Sequence, residues 1–128
     1  MQKLDFSGEK PIFVQIAEGL EGAILSGALP EGGQLPSITE LSVRYTINPA
    51  TALKGINLLV DQGLAYKKRG VGMFVAEGAR ELLQKKRRGD FAGRFVDALA
   101  AEAKQLGISR QELLDMVALA FDGAEKGR

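Results

Sequence analysis

Residues Leu35 to Val75 read LPSITELSVRYTINPATALKGINLLVDQGLAYKKRGVGMFV, and they resolve into two short helices and a β-hairpin with little connecting chain. Ser37 stands three residues before Glu40, so hydroxyl and carboxylate can each satisfy the other's backbone N–H in a capping box. Ile38, Leu41 and Tyr45 then form one apolar stripe over about two turns. Asn48-Pro49 opens a second helix, with a favoured N-cap followed by a residue preorganised for the first helical position. Ala52, Gly55, Ile56 and Leu59 share its inner face, while Ala50, Leu53, Lys54 and Asn57 lie away from it. Gly63 ends it. Two helices joined by a tight turn at Thr46-Ile47 make a helix-turn-helix.

Leu64 alternates with Tyr66, and Met73 with Val75, which predicts two short strands closed by a glycine-bearing tip at Gly70 and Gly72. The tip and its approach carry Lys67, Lys68 and Arg69. A basic hairpin directly after a helix-turn-helix is the wing of a winged helix, suited to phosphates or to the minor groove.

The rest of the chain extends this core in both directions. Pro11 to Ser26 predicts a helix, with Ile12, Ile16, Leu20 and Ile24 recurring every four residues and Gly27 as the stop. Before it, Leu4 to Phe6 is either a short strand or disordered; after it, Leu29 to Gln34 is a loop. Beyond Ala76, Ala79 to Arg88 is helical, Gly89-Asp90 marks a break or kink, and Phe91, Phe95, Leu99, Ala103 and Leu106 line one face of the next helix. Ser109 and Glu112 form a second capping box before a last helix bearing Leu113, Met116, Val117 and Phe121.

The 128 residues suffice for one domain with a real core and a small appendage, so the expected division is 1–76 for the winged helix-turn-helix and 77–128 for a helical tail. The fold class is mainly α with a small β-hairpin. With no Cys and no His, the chain has no disulfide, no zinc site of nitrogen and sulfur ligands, and no Ser-His-Asp or Cys-His catalysis. No metal, no cofactor and no enzyme activity are expected. No run of eighteen apolar residues and no signal peptide are present, which points to a cytoplasmic protein with no membrane partner. The net charge is only +1, but residues 37 to 76 carry five cations against two acids, whereas residues 1 to 36 carry two against five. The basic excess coincides with the helix-turn-helix and wing.

Five ordered motifs identify a resemblance. Pro11-Ile12-Phe13-Val14-Gln15-Ile16, Ile24-Leu25-Ser26-Gly27, Leu35-Pro36-Ser37, Glu40-Leu41, and Gly63-Leu64 with Gly70-Val71-Gly72-Met73-Phe74-Val75 resemble the DNA-binding domain of the GntR family of bacterial transcription regulators. Asn48-Pro49 and the short helical tail look like its YtrA-like branch. The resemblance implies a sequence-specific regulator, a repressor by default, bound to a palindromic double-stranded operator as a homodimer.

The residues expected to meet DNA are Ser37, Thr39 and Arg44 on the first reading helix. Asn48, Pro49, Ala50, Thr51, Leu53 and Lys54 on the second join them, with Lys67, Lys68, Arg69 and Gly70 on the wing. The Ser37 N–H can serve a phosphate, as helix N-termini do. Thr39, Pro49 and Val71 stand where relatives often carry Arg, so hydrogen-bonded guanine readout is reduced and Ala50 and Leu53 offer apolar contact to thymine methyls instead. Leu58 and Val60 have no assigned partner in the sequence. In the tail, Phe91, Phe95, Leu99, Leu113, Val117 and Phe121 are expected to form a two-fold dimer seam, because two short amphipathic helices cannot bury both apolar faces alone. The competing reading is a winged-helix protein-interaction module with weak or no specific DNA binding. The tail is too short for a large sensing domain, though an unidentified small-molecule effector could bind at the seam or between tail and winged domain.

Overall fold

The computed structural model describes residues 4–6 and 8–126, and side chains through residue 123. The element order is α1 (Ile12–Ser26), α2 (Ile38–Tyr45), α3 (Pro49–Asp61), β1 (Ala65–Lys68), β2 (Gly72–Val75), α4 (Ala79–Phe91), a π-helical segment Ala92–Val96, α5 (Asp97–Gln105) and α6 (Arg110–Lys126). The chain divides into two compact units, 1–86 and 87–128.

The first unit is built on α1 and α3. Ile16, Leu20 and Ile24 of α1 are fully buried, as are Ala52, Ile56 and Leu59 of α3, with Leu41 of α2 closing the cluster. The helices approach closely because Gly55 lacks a Cβ: one placed there would lie 2.9 Å from Ile16 Cγ2 and 3.1 Å from the Phe13 carbonyl oxygen. α3 ends in a Schellman motif, in which Gly63 takes a left-handed φ of 79°. The Leu64 N–H returns to the Leu59 carbonyl at 2.9 Å, and that of Gly63 to Val60 at 3.0 Å. Leu58, left without a partner by the sequence, is partly buried against this core.

The hairpin pairs Ala65 with Val75, Tyr66 with Phe74, Lys67 with Met73 and Lys68 with Gly72. The end of the expected Leu29 to Gln34 loop, with Leu35, runs beside β2 and forms a bridge at Gln34 to Phe74. The Gly32 N–H donates to Val75 O, the Val75 N–H to Gly33 O, and the Leu35 N–H to Met73 O, at 2.8 to 2.9 Å. Three glycine and proline residues hid this segment from a periodicity reading.

Leu4 to Phe6 adopts no strand. Leu4 instead enters the core, and the buried Gln15 pins the segment: its Oε1 accepts from the Asp5 N–H at 2.6 Å and its Nε2 donates to the carbonyls of Asp5 and Lys10. The neighbouring residues Met1 to Lys3 and Ser7 lie outside the described residues. The winged unit also extends past the expected boundary at Ala76, because Ala79 and Leu83 of α4 are buried in its core. Glu31 holds that start of α4 in place, with Oε1 accepting from the Gly78 N–H at 2.9 Å and Oε2 from that of Arg80 at 3.2 Å.

Of the break or kink expected at Gly89-Asp90, the break does not occur, since both residues lie inside α4. A glycine raises the cost of a helix by about 1 kcal/mol but does not forbid it. The irregularity falls downstream as the π-helical segment, which brings the Phe91 and Phe95 rings to 5.4 Å between centroids. α5 ends in a second Schellman motif, with Gly107 at φ 72° and the Ile108 N–H bonded to Ala103 O at 2.9 Å. Ser109 and Glu112 form the expected capping box at 3.1 Å in both directions.

Two glycines on α1 and α3 make opposite predictions. Ala in a helix interior normally gains about 1 kcal/mol over Gly, and nothing lies within 4 Å of a Cβ at Gly22. Gly22→Ala should therefore stabilise the protein. Gly55→Ala should cost about 1–2 kcal/mol net, since overpacking exceeds the propensity gain. Urea midpoints for both variants check the pair, and a stabilised Gly55→Ala would mean that α1 and α3 are less tightly apposed.

Candidate nucleic-acid interface

The two reading helices owe their ends to local chemistry. Ser37 Oγ accepts from the Glu40 N–H at 3.0 Å, and the Glu40 carboxylate accepts from the Ser37 N–H at 3.0 Å. That second bond corrects one expectation: the Ser37 N–H is already engaged by Glu40 and is not available to a phosphate. Helix geometry leaves the N–H groups of Ile38 and Thr39 without intrahelical acceptors. At the other end of α2, Thr46 adopts the left-handed region at φ 53°, the one non-glycine residue among those described to do so. Ser42 secures the turn, its Oγ donating to the Ile47 carbonyl at 2.6 Å.

α3 then starts with Asn48 Oδ1 accepting from the Ala50 N–H at 2.8 Å and Pro49 in the first turn. Asn48, Pro49, Ala50, Leu53, Lys54 and Asn57 are all exposed, and Thr51 is half-buried. The Lys54 ammonium lies 5.7 Å from the centre of the Phe13 ring of α1, so it is drawn toward one edge of the helix. On α2, Thr39 and Arg44 are exposed and border a shallow depression with Val43.

The hairpin separates its three cations by pleat and turn. Lys67 shares a face with Ala65, Met73 and Val75, the face turned toward α3. Lys68 lies on the opposite face, where its ammonium sits 4.7 Å from the centre of the Phe74 ring and Phe74 stacks on Tyr66 at 5.9 Å. Arg69 and Gly70 occupy the exposed tip, with Gly70 at φ 77°. Behind the tip, Gln34 Nε2 donates to the Val71 carbonyl at 3.1 Å, and a Cβ on Gly72 would meet that same nitrogen. Gln34 is the supporting residue the sequence reading missed, since nothing in a Gly-Gly-Gln run announces a partner 37 residues away.

The geometry brings α3's outer edge and the inner face of the wing together: Leu53, Asn57 and Val60 border one space with Lys67 and Val71. Residues 13–75 match the family model for bacterial regulatory proteins of the gntR family. A GntR-family transcriptional regulator from Bacteroides thetaiotaomicron is 30% identical, with 92% of this chain and all of that one aligned at a TM-score of 0.65. The chain belongs to the GntR family.

Among similar HTH-type transcriptional regulators of Bacillus subtilis, YhcF is 28% identical over 121 residues, covering 92% of this chain and 96% of its own length. The repressor YtrA is 31% identical over 83 residues, and the match spans 64% of its length. As a GntR-family member, the chain is a DNA-binding transcription regulator; its work is binding, not catalysis. Among the described residues no helix is long and apolar enough to cross a membrane.

Two carboxylates make this unit's stability depend on pH. Glu31 is held below the ordinary 4.5 chiefly by the Gly78 N–H and then by that of Arg80. Glu40 is held below it by the Ser37 N–H and then by the Ser37 hydroxyl. A carboxyl with a depressed folded-state value stabilises the fold fully above its ordinary value and loses that contribution as pH falls through the lowered one. Glu40→Gln keeps a capping-box side chain without a titrating group. Its urea midpoint, followed from about pH 6 to about pH 3, should fall less than that of the parent; parallel curves would show that Glu40 contributes nothing to acid sensitivity.

Proposed function

We propose that this regulator is a cytoplasmic homodimeric repressor that occupies a palindromic operator, α3 lying in the major groove and the wing tip reaching the adjacent backbone or minor groove. The observation that carries the reading is the shared orientation of α3's exposed edge and the Lys67 face of the hairpin, which lets one duplex touch both. The repressor named YtrA among the relatives supports the sign of regulation.

In this reading Thr39 and Arg44 of α2 address the backbone, while Asn48, Pro49, Ala50 and Thr51 enter the groove with Leu53. Ala50 and Leu53 meet thymine methyls. Lys67, Arg69 and Gly70 make the wing's contacts, with Lys54 flanking. Lys68 contributes less, because its ammonium is drawn over Phe74 on the far face.

The tail supplies the second copy. Phe91, Phe95, Leu99, Val117 and Phe121 are all at least 44% exposed, and Leu113 is half-buried. Exposed apolar surface on this scale in a small tail marks an interaction face. The residues of the proposed seam lie on a surface that a second copy of the same tail would cover, and a two-fold axis there would place two reading units on two half-sites.

Selection of bound duplexes from a random pool at about 150 mM salt tests the whole reading, since specific regulators exceed background by roughly 10³-fold or more. An enriched palindrome is expected; no enrichment from a folded dimer would favour an interaction module. On the selected site, Arg69→Ala should lower the slope of log K against log salt by about one unit, and Lys68→Ala should change it less. Equal slopes for Arg69→Ala and the parent would remove the tip contact. A Phe95→Asp, Val117→Asp double variant should sediment as a monomer at micromolar concentration, and a persistent dimer would place the seam elsewhere.

A further inference from the structure

A cavity of about 430 Å³ opens between the start of α2, the outer edge of α3 and the inner face of the hairpin. Its volume falls within the range of small-molecule sites, about 300–1,000 Å³. Leu35 and Ile56 are buried and form its floor; Ile38 and Met73 are half-buried; Leu53, Val60 and Val71 stand exposed around it. Ser37, Asn57 and Gln34 add neutral polar groups, and the Gln34 amide is tied to the Val71 carbonyl at 3.1 Å. Lys67 is the one charged side chain on the lining.

An apolar floor beneath a reading surface is a poor match for DNA alone. A duplex presents phosphates, sugars and base edges, with thymine methyls its one apolar group in the groove, and it does not replace the contacts that half-buried Ile38 and Met73 and exposed Val60 and Val71 lack on their open side. A hydrocarbon chain does, gaining about fourfold in affinity for each methylene buried. The single cation then selects the sign of the other end. We propose that this cavity binds a small anionic amphiphile, a medium-chain carboxylate being the simplest, with its chain against Leu35, Ile38, Leu53 and Ile56 and its head group on Lys67.

Such a ligand takes up the Lys67 charge and stands between α3 and the wing, so it competes with the duplex at the reading unit itself. It gives Val60 and Leu53 a partner in the free protein. The competition rests on the groove-facing reading of α3 proposed above; the binding does not.

The test is a methyl NMR titration of the full-length chain with octanoate, decanoate and decanol below their aggregation limits. Decanoate should shift Leu53, Val60, Val71 and Met73 methyls and bind more tightly than octanoate. Decanol, with the same chain and no charge, should bind roughly fivefold more weakly, and Lys67→Gln should abolish that difference. Val60→Trp, which fills the cavity, should eliminate the shifts at Leu53 and Met73. Shifts confined to tail methyls such as Leu114 and Val117, or equal binding of decanoate and decanol to the parent, would overturn the proposal. Anisotropy of a labelled duplex separates the two readings: decanoate should weaken its binding, and methyl shifts without that loss would uphold the site while removing the groove-facing assignment.

Discussion

The near contact of α1 with α3 at Gly55 is the constraint on which the winged unit depends. Helices pack at their usual separation when side chains interdigitate, and here a missing Cβ lets Ile16 sit against the backbone of α3. That approach buries Ile16 and Ile56 together and fixes the rotation of α3 about its own axis. The rotation leaves Ala50, Leu53, Lys54 and Asn57 outward. The exposed face of α3, proposed above to read DNA, is thus a by-product of the opposite one: its side chains are presented because Ala52, Gly55, Ile56 and Leu59 are held.

A second constraint positions the wing against that surface. A two-stranded hairpin alone is marginal in water, and here residues 32–35 bond to β2 on its outer edge while β1 occupies the inner one. Leu35 and Val75 carry the pairing into the core. Beyond the core, Gln34 reaches the Val71 carbonyl and steadies the tip from behind. The hairpin's tilt toward α3 is therefore set by a segment that precedes α2 in sequence. Glu31, the residue just before it, caps α4 with its carboxylate, so the wing support and the start of α4 share one short stretch of chain.

Much of this was legible in the residues because the signals are local. Ser37 with Glu40, Asn48 with Pro49, Gly63, and Ser109 with Glu112 each announce a helix end through chemistry spanning four residues or fewer, and each end falls within a residue or two of its expected place. What stayed hidden was long-range. The pairing of Gln34 with the wing, the entry of Leu4 and Leu83 into the core, and the link from Glu21 to Gln62 and on to Lys86 all join residues at least 24 positions apart or elements with no periodic pattern. Gly89 misled for a different reason: glycine weakens a helix without ending it, and no proline or αL cap stands nearby to finish the break. Among the site residues, alternation separated Lys67 from Lys68, but only the folded hairpin, with Lys67 toward α3 and Lys68 over the Phe74 ring, shows which side holds which cation.

The composition of the reading surface limits how this regulator, as proposed, can discriminate. Bidentate guanine or adenine readout needs Arg, Lys, Asn or Gln at base-edge positions, and α3 offers Pro49, Ala50, Thr51 and Leu53 before its first long polar side chain. Asn48 is engaged in capping. Each half-site then carries few hydrogen-bonded base contacts, and apolar contacts to thymine methyls distinguish bases less sharply than a bidentate pair. Under these terms one reading unit binds mainly through phosphates, which position it without specifying sequence. Two units joined at the tail change the balance, because the second half-site is reached at a high effective concentration and modest discrimination at each half multiplies. A recognition helix with few polar groups and a tail that exposes apolar side chains are, in this proposal, one design: the less each unit reads alone, the more the operator complex depends on what joins the pair.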